Sequence, residues 1–160
     1  IISLRNQGRS EDSDKQEFNE LGYNYRLDEM SAALGLGQIT RLDEILGKRR
    51  QVLNWYIGEL SSFMKFDFFD PKEDQPFLLP LRFENRDGIQ QKFESKSIQT
   101  KAYFDPPIHM QKFYQARQDI QKENLPITKR VSSEVLALPF YTSMKQEEVV
   151  EVVSVLRNEF

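Results

Sequence analysis

The chain's one imidazole, His109, follows two prolines in DPPIHMQKFY, and Tyr103 stands just ahead of that run. Imidazole titrates near neutrality, so general-base chemistry is the first role to weigh. No serine or cysteine nucleophile in a recognisable setting accompanies it, and a loop histidine serves equally well as a pocket wall or substrate contact. A second cluster opens GYNYRLDEMSAALGLGQ, where Tyr23 and Tyr25 surround Asn24 and Arg26 follows. Asn24 has two readings: a cap or turn residue for the helix that begins after it, or an amide donor to an anion held near that helix start with help from the helix dipole. Local pattern leaves both open. Asp67 and Asp70 are spaced as paired carboxylates could be, but the surrounding FDFFDPKED reads as a surface turn. Gly35 and Gly37 do not make a dinucleotide fingerprint, because Thr40 replaces the third small residue and the run lies inside a helical pattern rather than after a strand.

Composition removes several classes of function. With 160 residues, 39% hydrophobic and 29% charged, the chain has globular composition and can bury a core. A net charge of -3 with scattered basic residues gives no electrostatic footprint for nucleic acid. The absence of cysteine and the single histidine exclude a disulfide framework and a thiolate or multi-imidazole zinc site. No apolar run approaches the roughly 18 residues of a membrane span, and no signal peptide is recognisable, so the expected location is cytoplasmic.

The elements that must position these residues follow from periodicity. Leu27, Met30, Leu34, Leu42, Ile45, Leu46, Leu53, Tyr56 and Leu60 recur at helical spacing, which predicts one long helix, with Asp28 and Glu29 in its first turn. The two glycines cost that helix roughly 1 kcal/mol each relative to alanine, so close approach of another backbone is expected there. QPFLLPLRF predicts a strand whose Pro80 marks an edge or bulge. A short helix over 85–96, carrying Ile89 and Phe93, precedes an alternating strand at 98–104. Pro106 and Pro107 make the next segment a rigid, non-helical loop. A helix from Pro126 to Val135, a short buried strand at LALP, and a last helix with Val149, Val152, Val153, Leu156 and Phe160 on one face complete the order, the last helix capped by Ser143 with Gln146. Strands alternating with helices imply a small α/β layer.

Four collinear blocks resemble the DegT/DnrJ/EryC1/StrS family of pyridoxal-phosphate-dependent sugar aminotransferases: LRNQGRS, GYNYRLDEMSAALGLGQITRLDEI, SIQTKAYFDPPIHMQKFY and VLALPFYTSMKQEEV. The resemblance implies an α/β fold, the C-terminal small domain of a fold-type I pyridoxal-phosphate-dependent transferase, with a small sheet packed by helices and preceded by a long linking helix. It implies three segments: residues 1–25 as an arm or end of the large domain, 26–62 as the linking helix, and 63–160 as the small domain. By the same resemblance Asn24 contacts the cofactor phosphate of a partner subunit, Tyr23 and Arg26 line that pocket with Tyr25 beside them, and Tyr103 and His109 border the sugar-nucleotide site. The implied reaction is transamination of a nucleotide-linked keto sugar with an amino donor such as glutamate, by a homodimer, in amino-sugar or surface-polysaccharide biosynthesis. The family's cofactor-carrying lysine and pyridine-binding aspartate lie upstream of the LRN element, so this chain is expected to have no catalytic residue and no activity alone. Ser62-x-x-Lys65 matches the linker region rather than the lysine motif. Gln7 stands in place of the family's usual histidine, and Ser97 where a glycine is common. A non-catalytic binding or dimerisation module that complements a separate N-terminal half is the alternative.

Overall fold

A computed structural model describes residues 1–9, 17–64, 76–115 and 124–157; Asp67, Asp70, Lys65 and Phe160 lie outside them. The chain divides into two compact units, Ile1–Asp43 and Glu44–Phe160.

The first unit holds α1 (Ile2–Arg5), α2 (Glu29–Ile39) and a paired segment between them. Asp28 caps α2, its carboxylate accepting from the Ser31 backbone N–H at 2.9 Å and from the Ser31 hydroxyl at 2.7 Å. The expected single long helix is two, because the α-helical ladder stops at Thr40 and Arg41. There Thr40 donates its hydroxyl to the Gly37 carbonyl and Arg41 N–H closes a tighter bond to Gln38, leaving α3 to begin at Leu42. A hydroxyl that competes for a backbone acceptor just past two glycines is enough to end a helix.

The second unit contains most of α3 (Leu42–Leu60), then β1 (Leu79–Arg82), α4 (Arg86–Ser95), a 3₁₀ turn (Ile108–Met110), α5 (Lys112–Gln115), α6 (Pro126–Glu134), β2 (Val135–Leu138) and α7 (Gln146–Leu156). β1 and β2 pair antiparallel, with Leu79 opposite Leu138 and Leu81 opposite Leu136. The core joins Leu79, Leu81, Leu136 and Leu138 to Val52, Leu53, Tyr56 and Leu60 of α3, Ile89 and Phe93 of α4, and Val149, Val152, Val153 and Leu156 of α7. Each helix supplies these residues at spacings of three and four, so one stripe faces the sheet. The expected small sheet packed by helices is the observed one.

Pro80 explains the register. It stands opposite Ala137, whose N–H and carbonyl both turn the other way, to Lys101 at 2.8 and 3.2 Å. The missing proline N–H therefore costs no ladder bond, as on an edge strand. Lys101 is the single bridge residue in the segment expected to form a strand at 98–104. Pairing ends because the next residues are drawn away to α4 and α6, as described below. Two further expectations change. Pro107 does not forbid helical backbone after it: with φ of -63° it begins the 3₁₀ turn that carries His109. The cap of α7 is at Lys145, whose N–H donates to Glu148 Oε2 at 2.7 Å, rather than at Ser143.

Candidate functional site

In the first unit the backbone aims the side chains at 23–26. Gln7 and Gly8 have φ of 65° and 75°, and a Cβ on Gly8 would lie 1.8 Å from the Glu20 carbonyl oxygen. Only glycine allows this close approach. It brings Gln7 N–H to the Tyr23 carbonyl (2.9 Å), Tyr23 N–H to Leu4 (2.6 Å) and Tyr25 N–H to Arg5 (2.9 Å), with Asn24 bridged opposite Asn6. Extended backbone alternates its side chains. Accordingly Tyr23 and Tyr25 stack at 5.0 Å and 9°, while Arg26 Nε donates to Asn24 Oδ1 at 3.1 Å. Arg26 thereby occupies the amide oxygen, and the Asn24 NH₂ has no bond among the described residues.

The cap reading of Asn24 is corrected by this geometry, since Asp28 fills that position. The helix dipole is likewise answered by Asp28, whose carboxyl is held below its ordinary pKa by the Ser31 backbone N–H and then by the Ser31 hydroxyl. An anion at this place would be met by an amide and a guanidinium, not by a free helix end.

In the second unit a hollow of about 680 Å³ is lined on one side by Tyr103, Phe104, Pro107, Ile108, His109 and Tyr114. On the other side stand Leu125 and the α6 residues Ile127, Thr128, Val131 and Ser132. The structure thus places both Tyr103 and His109 among the lining residues of one hollow. His109 is half-buried, and its Nε2 is sealed from solvent with no hydrogen-bond partner among the described residues. Lys101 Nζ lies 5.5 Å from the Tyr103 ring centroid, a cation–π contact. No lysine is among the hollow's described lining residues.

Phe104, Tyr114, Thr128 and Ser132 were not singled out from sequence. Ile127 with Val131, and Thr128 with Ser132, are each four apart on α6, and that spacing was the available signal. Arg86 was also missed, because nothing in a local pattern announces that a charged residue at a helix start is buried.

The DegT/DnrJ/EryC1/StrS aminotransferase family model matches residues 1–157, and the chain belongs to that family. Among its relatives, the dTDP-3-amino-3,6-dideoxy-alpha-D-galactopyranose transaminase of Aneurinibacillus thermoaerophilus is 32% identical over 94% of this chain and 40% of its own length. The dTDP-4-amino-4,6-dideoxy-D-glucose transaminase of Escherichia coli is 26% identical over 84% of this chain and 38% of its own. The crystal structure of DesV from S. venezuelae superposes with a TM-score of 0.81 at 25% identity, over 98% of this chain and 42% of that one. The chain therefore spans about 40% of the length of the relatives it matches. Its fold is one found within aminotransferases.

Proposed function

We propose that this chain is the C-terminal portion of a pyridoxal-phosphate-dependent transaminase acting on a nucleotide-linked keto sugar, in amino-sugar and surface-polysaccharide biosynthesis. The observation that carries this is the aromatic hollow that both Tyr103 and His109 line. Such a cavity accepts the flat and apolar parts of a sugar nucleotide, with the His109 ring as part of its lining. The 32% identical relative, whose name specifies a dTDP-linked amino sugar, supports that substrate class.

Pyridoxal phosphate, bound in the whole enzyme, supplies the electron sink through which an amino group passes between carbon skeletons. Toward it this chain contributes Asn24, whose amide NH₂ donates to a phosphate oxygen of the partner subunit's cofactor, with Arg26 orienting the amide through their 3.1 Å bond. Tyr23 stacks on Tyr25 and stiffens that segment. The proposal includes a homodimer, glutamate as amino donor, a cytoplasmic location, and residues 1–25, 26–62 and 63–160 as large-domain end, linking segment (α2 and α3) and small domain. The chain alone is proposed to be inactive, because the family's cofactor-carrying lysine has no counterpart in its four matching blocks.

A second reading is a binding or dimerisation module that complements a separate N-terminal half. It is favoured by α2, in which no residue is buried and Met30 and Leu34 are 80% and 71% exposed. A helix apolar on several sides calls for cover.

The test is a titration of the chain with UDP and dTDP, observed through the ring protons of its one histidine. Saturable movement of the His109 signal with the indole signal of Trp55 unmoved is expected. No movement at millimolar nucleotide would remove the substrate assignment. A parallel titration with pyridoxal phosphate, followed by borohydride and mass spectrometry, should leave no lysine stoichiometrically modified; one modified lysine would make the chain a cofactor-bearing enzyme by itself.

A further inference from the structure

Two polar side chains are buried among the described residues of the second unit, Arg86 at 6% exposure and Ser132 at 5%, and both are spent on one dipeptide. Ser132 donates its hydroxyl to the Phe104 carbonyl, and Arg86 Nη2 donates to the Asp105 carboxylate. Immediately before that dipeptide is Tyr103, and four residues beyond Asp105 is His109, both of which line the hollow.

Arg86 is a poor residue for its place on local grounds. It occupies the first turn of α4, where the helix dipole disfavours a cation, and burial costs its charge hydration. Asp87 Oδ1 lies 2.7 Å from Nε but off the N–H axis, so it lends charge without a hydrogen bond. The partner that meets the guanidinium head-on is Asp105, nineteen residues away and on another element. An ion pair with one buried member contributes little net stability once desolvation is counted, and the best-attested use of such pairs is to select one arrangement. Here the arrangement selected is the exit of the loop. Gln111 Nε2 donates to the Pro106 carbonyl at 2.5 Å and Met110 N–H to Pro107 at 2.8 Å, so the part of the loop beyond Asp105 is internally braced and follows the pin as a body.

We infer that Arg86, through its ion pair with Asp105, is the positioning residue that sets where Tyr103 and His109 stand in the wall of the hollow. It is not among the hollow's described lining residues and acts through the loop. That the hollow takes a sugar nucleotide rests on the function proposed above; the positioning itself does not.

The experiment uses the full chain, in which one histidine and one tryptophan give unique signals. Trp55 packs against the core of the same unit and reports the fold. Asp105→Asn keeps the side-chain shape and removes its charge at a site 37% exposed, so the fold is expected to survive. Its His109 ring signals should shift or split while the Trp55 indole N–H stays in place. Arg86→Met should do the same, and Arg86→Lys should return His109 toward its wild-type position, since an ammonium can still pair with Asp105. His109 signals of Asp105→Asn superimposing on those of wild type would overturn the inference, whether or not the Arg86 variants fold. UDP, added to the wild type and to Asp105→Asn, separates the two claims. Binding weakened roughly tenfold to a hundredfold in the variant supports both. Displaced His109 signals in the variant, with no UDP bound by either protein, would uphold the positioning role and reject the nucleotide.

Discussion

Tyr56 connects the long helix to the end of the sheet, and its hydroxyl gives a prediction that can be worked through. The side chain is fully buried in α3, and its O–H donates to the Pro139 carbonyl at 2.7 Å with Met144 Sδ 3.8 Å away. Pro139 follows β2, whose Ala137 bridges Lys101, and from Lys101 the chain enters the Tyr103–His109 loop. Tyr56→Phe keeps the ring and strands a part-buried acceptor. Loss of the bond costs about 1 kcal/mol and the unpaired carbonyl raises this to about 2 kcal/mol. With a urea dependence of about 1.5 kcal/mol per molar, the unfolding midpoint should fall by about 1 M. The same variant carries a pH signature. Burial pushes the Tyr56 phenol far above its ordinary value, with the charges of Tyr141 and Glu148 adding to the effect. The folded chain therefore keeps a proton that the unfolded chain releases. The stabilisation is intact below about pH 10, the pKa in the unfolded state, and declines by up to about 1.4 kcal/mol for each pH unit above it. The wild-type advantage should vanish about 1.5 pH units above that value, at about pH 11.5, and reverse beyond it. Urea titrations of both proteins from neutral to alkaline pH measure this directly. Equal midpoints at neutral pH, or a difference that stays constant into the alkaline range, would refute the reasoning.

Other outcomes follow from the first unit. Gly8→Ala places a methyl 1.8 Å from the Glu20 carbonyl at a φ of 75°, so the segment pairing Asn6 with Asn24 should open. Hydrogen exchange at the Tyr23 and Tyr25 amides should rise toward unprotected rates, while the Phe83 and Ala137 amides of the second unit stay protected. Asp28 should make the α2 start pH-sensitive. Its carboxyl is depressed by the Ser31 N–H and hydroxyl, so its contribution is present above the ordinary carboxylate range and is lost as pH falls through the depressed value. Exchange protection of the Ser31 amide should follow that acid limb in the wild type and be low at all pH in Asp28→Ala.

Much of the fold was legible because its signals are local. Apolar residues three and four apart mark α3, α4 and α7, and the short buried run after α6 marks β2, since a side chain's face is set by the backbone period alone. Tyr103 and His109, close in sequence, both line the one hollow. Less legible were the events in which two distant groups compete for one backbone or charge. The break at Thr40, the single bridge that replaces a strand at 98–104, and the cap at Lys145 each depend on which acceptor wins, and propensity does not decide that.

What the sequence determined by itself is the family, through its four collinear blocks, and the candidate residues Asn24, Tyr103 and His109. Tertiary structure decided their surroundings. Asn24 is freed from capping because Asp28 takes that role, and its amide is turned by Arg26. His109 shares the lining of the hollow with residues of α6, and its Nε2 has no hydrogen-bond partner among the described residues. Arg86 became meaningful only when Asp105, nineteen residues away, was placed against it. The physical reason is common to all three: burial and the energy of a polar contact depend on neighbours that chain folding supplies, and those neighbours are remote in sequence.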